Sequence, residues 1–310
     1  MTQQADIKDS IAIIGLGKVG AAVGYLLRSA GYEIVAVAGR TREKLLQNWT
    51  YTQGHLAESL AEAASLANCI IITTSDDAIS SVCEEICRKG AILPGKKVLH
   101  MSGAGSLALL ESARRAGAYV ASIHPLQSFA TVEDAINALP GSTFAITADE
   151  AILDWSSQMV LDLQGVPFIL NDRDKPLYHA AACLASNYLT TLLHTVETIY
   201  QSLGLAPADA IKAFWPLVSG TIHNIEYKGT VKALTGPIAR GDAGTVASHL
   251  ATLGDRFPEF LPLYCVMGTE TVALGLEKKS LSRDKAEMIL ELLKGGFEYG
   301  REQNHHNSDP

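Results

Sequence analysis

The 310-residue sequence predicts an α/β fold: a doubly wound parallel sheet in the first half, followed by an all-α second half. Three observations carry this expectation. Short apolar, β-branched runs alternate with helical stretches from residue 11 to about residue 148, the pattern of strands joined by crossover helices. A glycine-rich turn follows the first of those runs. After a polar quartet at residues 171–174, every long segment takes helical periodicity.

Taken in order, strands are expected at residues 11–14, 34–38, 69–73, 97–100, 120–123 and 144–147. A helix at 151–164 and a short apolar run at 166–170 lead into Asn171-Asp172-Arg173-Asp174, which reads as the domain junction. Beyond it, residues 175–203, 207–224, 243–253, 258–276 and 282–299 read as helices, several opened by a capping residue or a proline. Glycine and proline gather at Thr235-Gly236-Pro237 and Arg240-Gly241-Asp242, so a structured loop interrupts the helices there. The expected domains are 1–170 for nucleotide and 171–300 for substrate, with a flexible tail at 301–310. The His305-His306 pair in that tail reads as part of a frayed terminus rather than a metal site.

Composition narrows the class. At 47% hydrophobic and 19% charged residues the chain has enough apolar material for two cores. A net charge of −8 argues against a nucleic-acid partner, because phosphate binding needs a clustered surplus of Lys and Arg. Residues 1–10 are polar, and no run of about eighteen apolar residues occurs, so a cytoplasmic protein without a membrane segment is expected. The five cysteines, Cys69, Cys83, Cys87, Cys183 and Cys265, are scattered. Cys83 and Cys87 lack the companion ligands of a zinc site, so free thiols and no bound metal are expected.

The first chemical motif is Gly15-Leu16-Gly17-Lys18-Val19-Gly20, placed directly after the strand 11–14 and opening a helix. Gly15 would make the tight turn, Gly17 would let backbone approach a pyrophosphate, and Gly20 would bring helix and strand into contact, with the helix N-terminus facing the anion. That is the fingerprint of a Rossmann dinucleotide site; the alternative is a similar turn without its ligand. The end of the second strand selects the nucleotide. An NAD site places a carboxylate there for the ribose hydroxyls, whereas this chain has Gly39-Arg40-Thr41-Arg42. Arg40, Thr41 and Arg42 suit a 2′-phosphate, so NADP(H) is the expected cofactor; the competing reading is a solvated helix start. Thr74 and Ser75, after the strand at 69–73, suit a ribose or nicotinamide contact, or a helix cap.

Two further strand ends carry polar groups, His100-Met101-Ser102-Gly103 and His124-Pro125-Leu126-Gln127-Ser128-Phe129. Ser102, His124 and Gln127 would meet on the rim where ligands bind in such sheets. His124 is the acid/base candidate, since imidazole titrates near neutral pH and alcohol or amine oxidation needs a proton removed. On the helix beginning at Lys175, Ser186 lies about 20° from His179, Thr190 about 20° to the other side and Lys175 about 40° away, a polar stripe with Asn187 at its edge. The stripe is uncharged beyond Lys175, unlike a solvated face. His179 and Asn187 are therefore catalytic candidates and Ser186 a substrate contact. Arg240, flanked by glycine, would clamp a substrate anion or staple its own loop through Asp242.

With these residues in view, the chain resembles Rossmann-like proteins that carry the C-terminal domain of unknown function 2520, described as NADP oxidoreductases. The resemblance rests on the glycine motif, His100-Met101-Ser102-Gly103, the segment from His124 to Phe129, and Leu234-Thr235-Gly236-Pro237-Ile238-Ala239-Arg240-Gly241-Asp242. More distantly the chain is similar to pyrroline-carboxylate reductases, prephenate dehydrogenases and deazaflavin-dependent reductases. The likeness implies a helical second domain of the 6-phosphogluconate-dehydrogenase-like type, a homodimer and NADP chemistry, without naming a substrate; the Arg240 clamp points to a small, anionic one. Asn187 stands where prephenate dehydrogenases have histidine, and no lysine stands four residues before it as in the Lys-x-x-x-Asn pair of 3-hydroxyisobutyrate-type dehydrogenases, so neither family's catalytic pair transfers whole. The competing class is a non-catalytic NADP(H) sensor.

Overall fold

The computed structural model describes residues 8–306. The chain divides into two compact units, Met1–Leu189 and Thr190–Pro310, a division that falls later than the junction expected at 171–174. In the first unit the order is β1 (Ser10–Ile14), α1 (Lys18–Ser29), β2 (Glu33–Ala38), α2 (Arg42–Thr52), β3 (His55–Leu56), α3 (Leu60–Leu66), β4 (Cys69–Ile72) and α4 (Ile79–Arg88). It continues with β5 (Lys97–His100), α5 (Glu111–Arg115), β6 (Tyr119–Pro125), α6 (Val132–Ala138), β7 (Thr143–Ala148), α7 (Leu153–Asp162), β8 (Val166–Ile169) and α8 (Lys175–Ala185).

The sheet order is β3-β2-β1-β4-β5-β6-β7-β8, doubly wound as expected. All six strands read from sequence are present, and two short edge strands, β3 and β8, join them. The sheet is not wholly parallel: β7 pairs antiparallel to β6, and β8 runs parallel to β7. The physical reason lies in the connection after β6, whose helix α6 packs on α1 instead of carrying the chain across the sheet to a parallel entry.

Alternation along the strands sorts residues onto two buried faces. Ile11, Ile13, Ile71, Leu99 and Ile123 join one core cluster, while Ile14, Ile70, Ile72, Val98 and Val120 join the other. Both faces are covered, which is why these strands read as continuous apolar runs rather than alternating ones. Each fully buried Ile contributes roughly 1.5–3 kcal/mol relative to an exposed one. Small residues set the spacing of α1, whose Gly20, Ala21, Ala22 and Gly24 are all buried. Helix starts follow sequence caps: the Ser59 hydroxyl accepts from the Glu62 amide, and Thr131 and Asp134 form a reciprocal capping box.

The remaining helices are α9 (Asn187–Ser202), α10 (Pro207–Ala233), α11 (Pro237–Arg240), α12 (Ala243–Arg256), α13 (Leu261–Glu277) and α14 (Arg283–His306). Among its described residues the second unit holds helices joined by turns and no strand, with a core of Val246, Leu261, Cys265, Val272, Ile289 and Leu293. The helix expected over 175–203 is broken at Ser186 (φ −122°, ψ −68°) into α8 and α9. The helix expected to end at Asn224 runs on to Ala233 with a break at Gly229, whose φ of +76° suits glycine. Helix α14 continues to His306, into the stretch expected to be a flexible tail, and the rest of that tail, 307–310, lies outside the described residues.

Candidate functional site

Two clefts open on the first unit, both at the carboxyl ends of the parallel strands. The first, of about 790 Å³, is bounded by Gly15, Leu16 and Gly17 on one side and by Arg40, Thr41 and Lys44 on another. Its turn is built by contacts that only glycine permits. Gly15 has φ +97°, its amide donates to the Ala38 carbonyl at 2.8 Å, and its carbonyl accepts from the Thr73 hydroxyl. A Cβ on Gly20 would run into that same Gly15 carbonyl and the Thr73 hydroxyl. The Asn48 amide holds the turn from outside, donating to the Leu16 carbonyl at 2.9 Å.

Gly17 is different. It caps α1 in an extended conformation (φ −78°, ψ −167°), and a Cβ there would meet nothing within 4 Å. Steric need within the protein does not explain a glycine at this position; open space for a ligand against the helix N-terminus does. The residues thus fit a pyrophosphate cradle.

Of the residues expected at the cofactor, Thr74 and Ser75 also line the first cleft. Arg42 does not; it is the exposed first residue of α2, and Lys44, two residues on, stands in the wall in its place. Glu58 stands in the same wall, after β3, a carboxylate the sequence reading did not weigh. Lys18 is exposed, and Gly20 is buried behind the turn.

The second cleft, of about 850 Å³, gathers His124 and Gln127 from the end of β6 with His179, Ser186 and Asn187 from α8 and the start of α9. Tyr178 and Cys183 line it too. Val19, in the first turn of α1, also lines it, so the glycine turn borders one cleft and the residue two positions on borders the other. No Lys, Arg, Asp or Glu stands among its lining residues.

His124 Nδ1 lies 2.9 Å from the Tyr178 hydroxyl, and the His124 and His179 rings meet edge to face at 6.2 Å. The turn after β5 passes between them: a Cβ on Gly103 would lie 2.6 Å from His179 Cδ2 and 2.8 Å from His124 Nε2. Burial, then the charge on Lys175, then His179, push the His124 imidazole down to about 4. The sequence argument for His124 rested on titration near neutral pH; in the fold the ring is uncharged there, because it is desolvated beside a cation. Burial pushes the Tyr178 phenol up to about 12, so it keeps its proton.

Ser102 lines neither cleft. It is 5% exposed, its hydroxyl donates to Asp76 Oδ2 at 2.6 Å and accepts from the Gly105 amide at 2.8 Å, so it is a support beneath the rim. His100 lies below it, its Nδ1 accepting from the Ser102 amide at 3.1 Å and its Nε2 donating to the Ser106 carbonyl at 3.3 Å. Arg240 ends α11 in the second unit, exposed, two residues before Asp242, whose carboxylate caps α12 through the Thr245 amide.

Sequence reasoning missed Tyr178 and misplaced Lys175. The signal was the Lys-x-x-Tyr-His spacing, which sets residues 175, 178 and 179 on one helical face. Helical spacing sets Lys175 in the polar stripe with His179, whereas in the fold its side chain is 0% exposed.

Two domain families match the chain: a Rossmann-like domain over residues 2–125 and a domain of unknown function (DUF2520) over residues 142–271. The two matches follow one another along the chain, and the second cleft draws side chains from both matched ranges. In fold it is similar to a Bacteroides fragilis protein provisionally described as an NADP oxidoreductase, with a TM-score of 0.71, 19% identity, and coverage of 86% of this chain and 98% of that one. A Thermotoga maritima protein matches at TM-score 0.62 and 21% identity, over 94% of this chain and 99% of that one. Plasmodium falciparum pyrroline carboxylate reductase with NADP bound matches at TM-score 0.58 and 13% identity, over 91% and 98%. No curated protein matches the sequence.

Proposed function

We propose that this protein is an NADP(H)-dependent oxidoreductase acting on a small carbonyl or imine compound or its reduced partner. The observation that carries the reading is that the start of α1 serves both clefts: Gly15, Leu16 and Gly17 line the one that fits a pyrophosphate, and Val19 lines the one holding a paired imidazole and phenol. Gly15, Leu16, Gly17, Thr74 and Ser75 would hold the dinucleotide, and Arg40, Thr41 and Lys44 its 2′-phosphate. Bound as NADPH, the cofactor supplies hydride. The likeness in fold to NADP oxidoreductases supports the same reading.

The chain's own part is to position the substrate and hold a proton. Tyr178 keeps its phenolic proton through the neutral range, and His124, uncharged, fixes that hydroxyl through Nδ1. The developing oxygen or nitrogen of the substrate is met by this pair and by His179 and Asn187. With no charged residue lining this cleft, an anionic group on the substrate would need a cation that is not among its lining residues. Free thiols at all five cysteines suit a cytoplasmic setting.

Calorimetry with NADPH and NADH tests the cofactor. At least tenfold tighter binding of NADPH is expected, about 1.4 kcal/mol, and Arg40→Ala should remove most of that preference; equal binding of the two by the wild-type protein would sink it. Turnover against small oxo acids, imines and hydroxy acids tests the chemistry. NADPH binding with complete inactivity would instead favour a sensor.

We further assign self-association to this chain. Leu177, Leu184 and Tyr188 on the first unit are 75%, 62% and 61% exposed, and Leu217 and Tyr227 on the second are each 71% exposed. Such apolar surface suits burial against a second copy. Sedimentation should give a dimer at micromolar concentration, and a monomer would overturn the assignment.

A further inference from the structure

The first unit fully buries the side chain of Lys175, which lines neither cleft. Lys175, the first residue of α8, donates from Nζ to the Ser122 hydroxyl at 2.7 Å and to the Ser102 carbonyl at 3.2 Å. Both partners are uncharged. Ser122 and His124 are two apart on β6 and share a sheet face, while Lys175 and Tyr178 are three apart on α8 and share a helix face. Strand and helix are thus joined by two polar rungs, Ser122 with Lys175 in the interior and His124 with Tyr178 in the cleft.

A buried ammonium is costly, and an apolar side chain of similar length is often no less stable. A packing role alone would therefore be better met by methionine. We infer that Lys175 is a positioning residue for the His124–Tyr178 pair: its ammonium, held by the Ser122 hydroxyl and the Ser102 carbonyl, registers α8 on β6 and places a positive charge on the strand face that carries the imidazole. Its value for catalysis rests on the function proposed above; its effect on His124 does not.

The groups facing His124 are Lys175, Tyr178 and His179 from α8, His100 from β5, and Asp76 from the segment after β4. Lys175 and the two histidines oppose a charge on His124, and Asp76 favours it. After burial, Lys175 is the largest opposing influence. Asp172 and Asp76 balance Lys175 from a distance, each already engaged, Asp172 by the Leu107 amide at 3.0 Å and Asp76 by the Ser102 hydroxyl at 2.6 Å.

The test is an NMR titration of histidine side-chain nitrogens in the full chain without cofactor, with His124→Gln giving the assignment. Lys175→Met should fold, because the Ser122 hydroxyl still donates to the Ser102 carbonyl at 3.2 Å. In that variant the His124 midpoint should rise by about one unit and its single tautomer should become a mixture. Ser122→Ala, which keeps the charge, should leave the midpoint near its wild-type value. In wild-type protein, which needs no substitution, the His124 nitrogens should show a second inflection as Lys175 loses its proton at about 8. A folded Lys175→Met with an unmoved midpoint and tautomer overturns the inference, as does a wild-type titration without the second inflection. Failure of the oxidoreductase reading would appear separately, as absent NADPH binding with this titration behaving as described.

Discussion

Gly17→Ala is expected to leave the fold intact and to weaken NADPH binding about a hundredfold or more, a loss of about 2.7 kcal/mol. The backbone at Gly17 is extended, and the added methyl would meet no protein atom within 4 Å, so the ligand-free protein has no reason to lose stability. A pyrophosphate seated against the α1 N-terminus would meet that methyl directly. Gly20→Ala behaves in the opposite order. Its methyl would overlap the Gly15 carbonyl and the Thr73 hydroxyl, and lie 3.3 Å from Ile13 Cγ2. The turn must move, so stability should fall by about 3 kcal/mol and binding with it. Thermal melts and calorimetry on both variants separate the two causes. A Gly17→Ala protein that binds NADPH as tightly as wild type would remove the cradle from the account.

The second large effect is acid sensitivity. His100 and His124 are both pushed down from 6.5 to about 4, His100 by burial and then Lys175, His124 by burial and then Lys175. Above 6.5 neither folded nor unfolded chains protonate these rings, so they contribute no pH dependence. Between 6.5 and 4 the unfolded chain takes up two protons that the folded chain refuses, so stability falls as pH falls. Below 4 both states are protonated and the loss levels off. Each ring accounts for about 3 kcal/mol across the window, a large part of the 5–15 kcal/mol typical of a folded domain. Asp162 and Asp242, held below their ordinary 3.8, add their own losses only at lower pH. Urea unfolding of the first unit at pH 7, 6 and 5 should therefore give steadily lower midpoints, and His124→Gln should remove about half the slope. A midpoint that stays flat from pH 7 to 5 would contradict the buried, uncharged histidines.

Much of the fold was legible because strand and helix signals are local. The strands buried on both faces read as apolar runs, and all six were placed. The edge strands β3 and β8 escaped because two residues at His55–Leu56, and a run as exposed as Val166–Ile169, owe their strand form to a neighbour's unpaired edge. The break at Ser186 escaped for a related reason, since nothing in Ala185-Ser186-Asn187 forbids a continuous helix. Thr190, which a single helix would set in the stripe, is not among the residues that line the second cleft.

By itself the sequence determined the glycine turn, the missing carboxylate after β2 and the candidates His124, Gln127, His179, Ser186 and Asn187, because backbone freedom, charge and helical or strand period are properties of short segments. Only the tertiary structure decided which basic residue faces the first cleft, that Ser102 lies beneath the rim, and that Lys175 is interior. It also decided that His124 is uncharged at neutral pH and bonded to Tyr178. Those outcomes depend on desolvation and on groups far apart in the chain, Asp76, Ser102, Ser122 and Lys175 among them, and no short window of sequence carries an electric field.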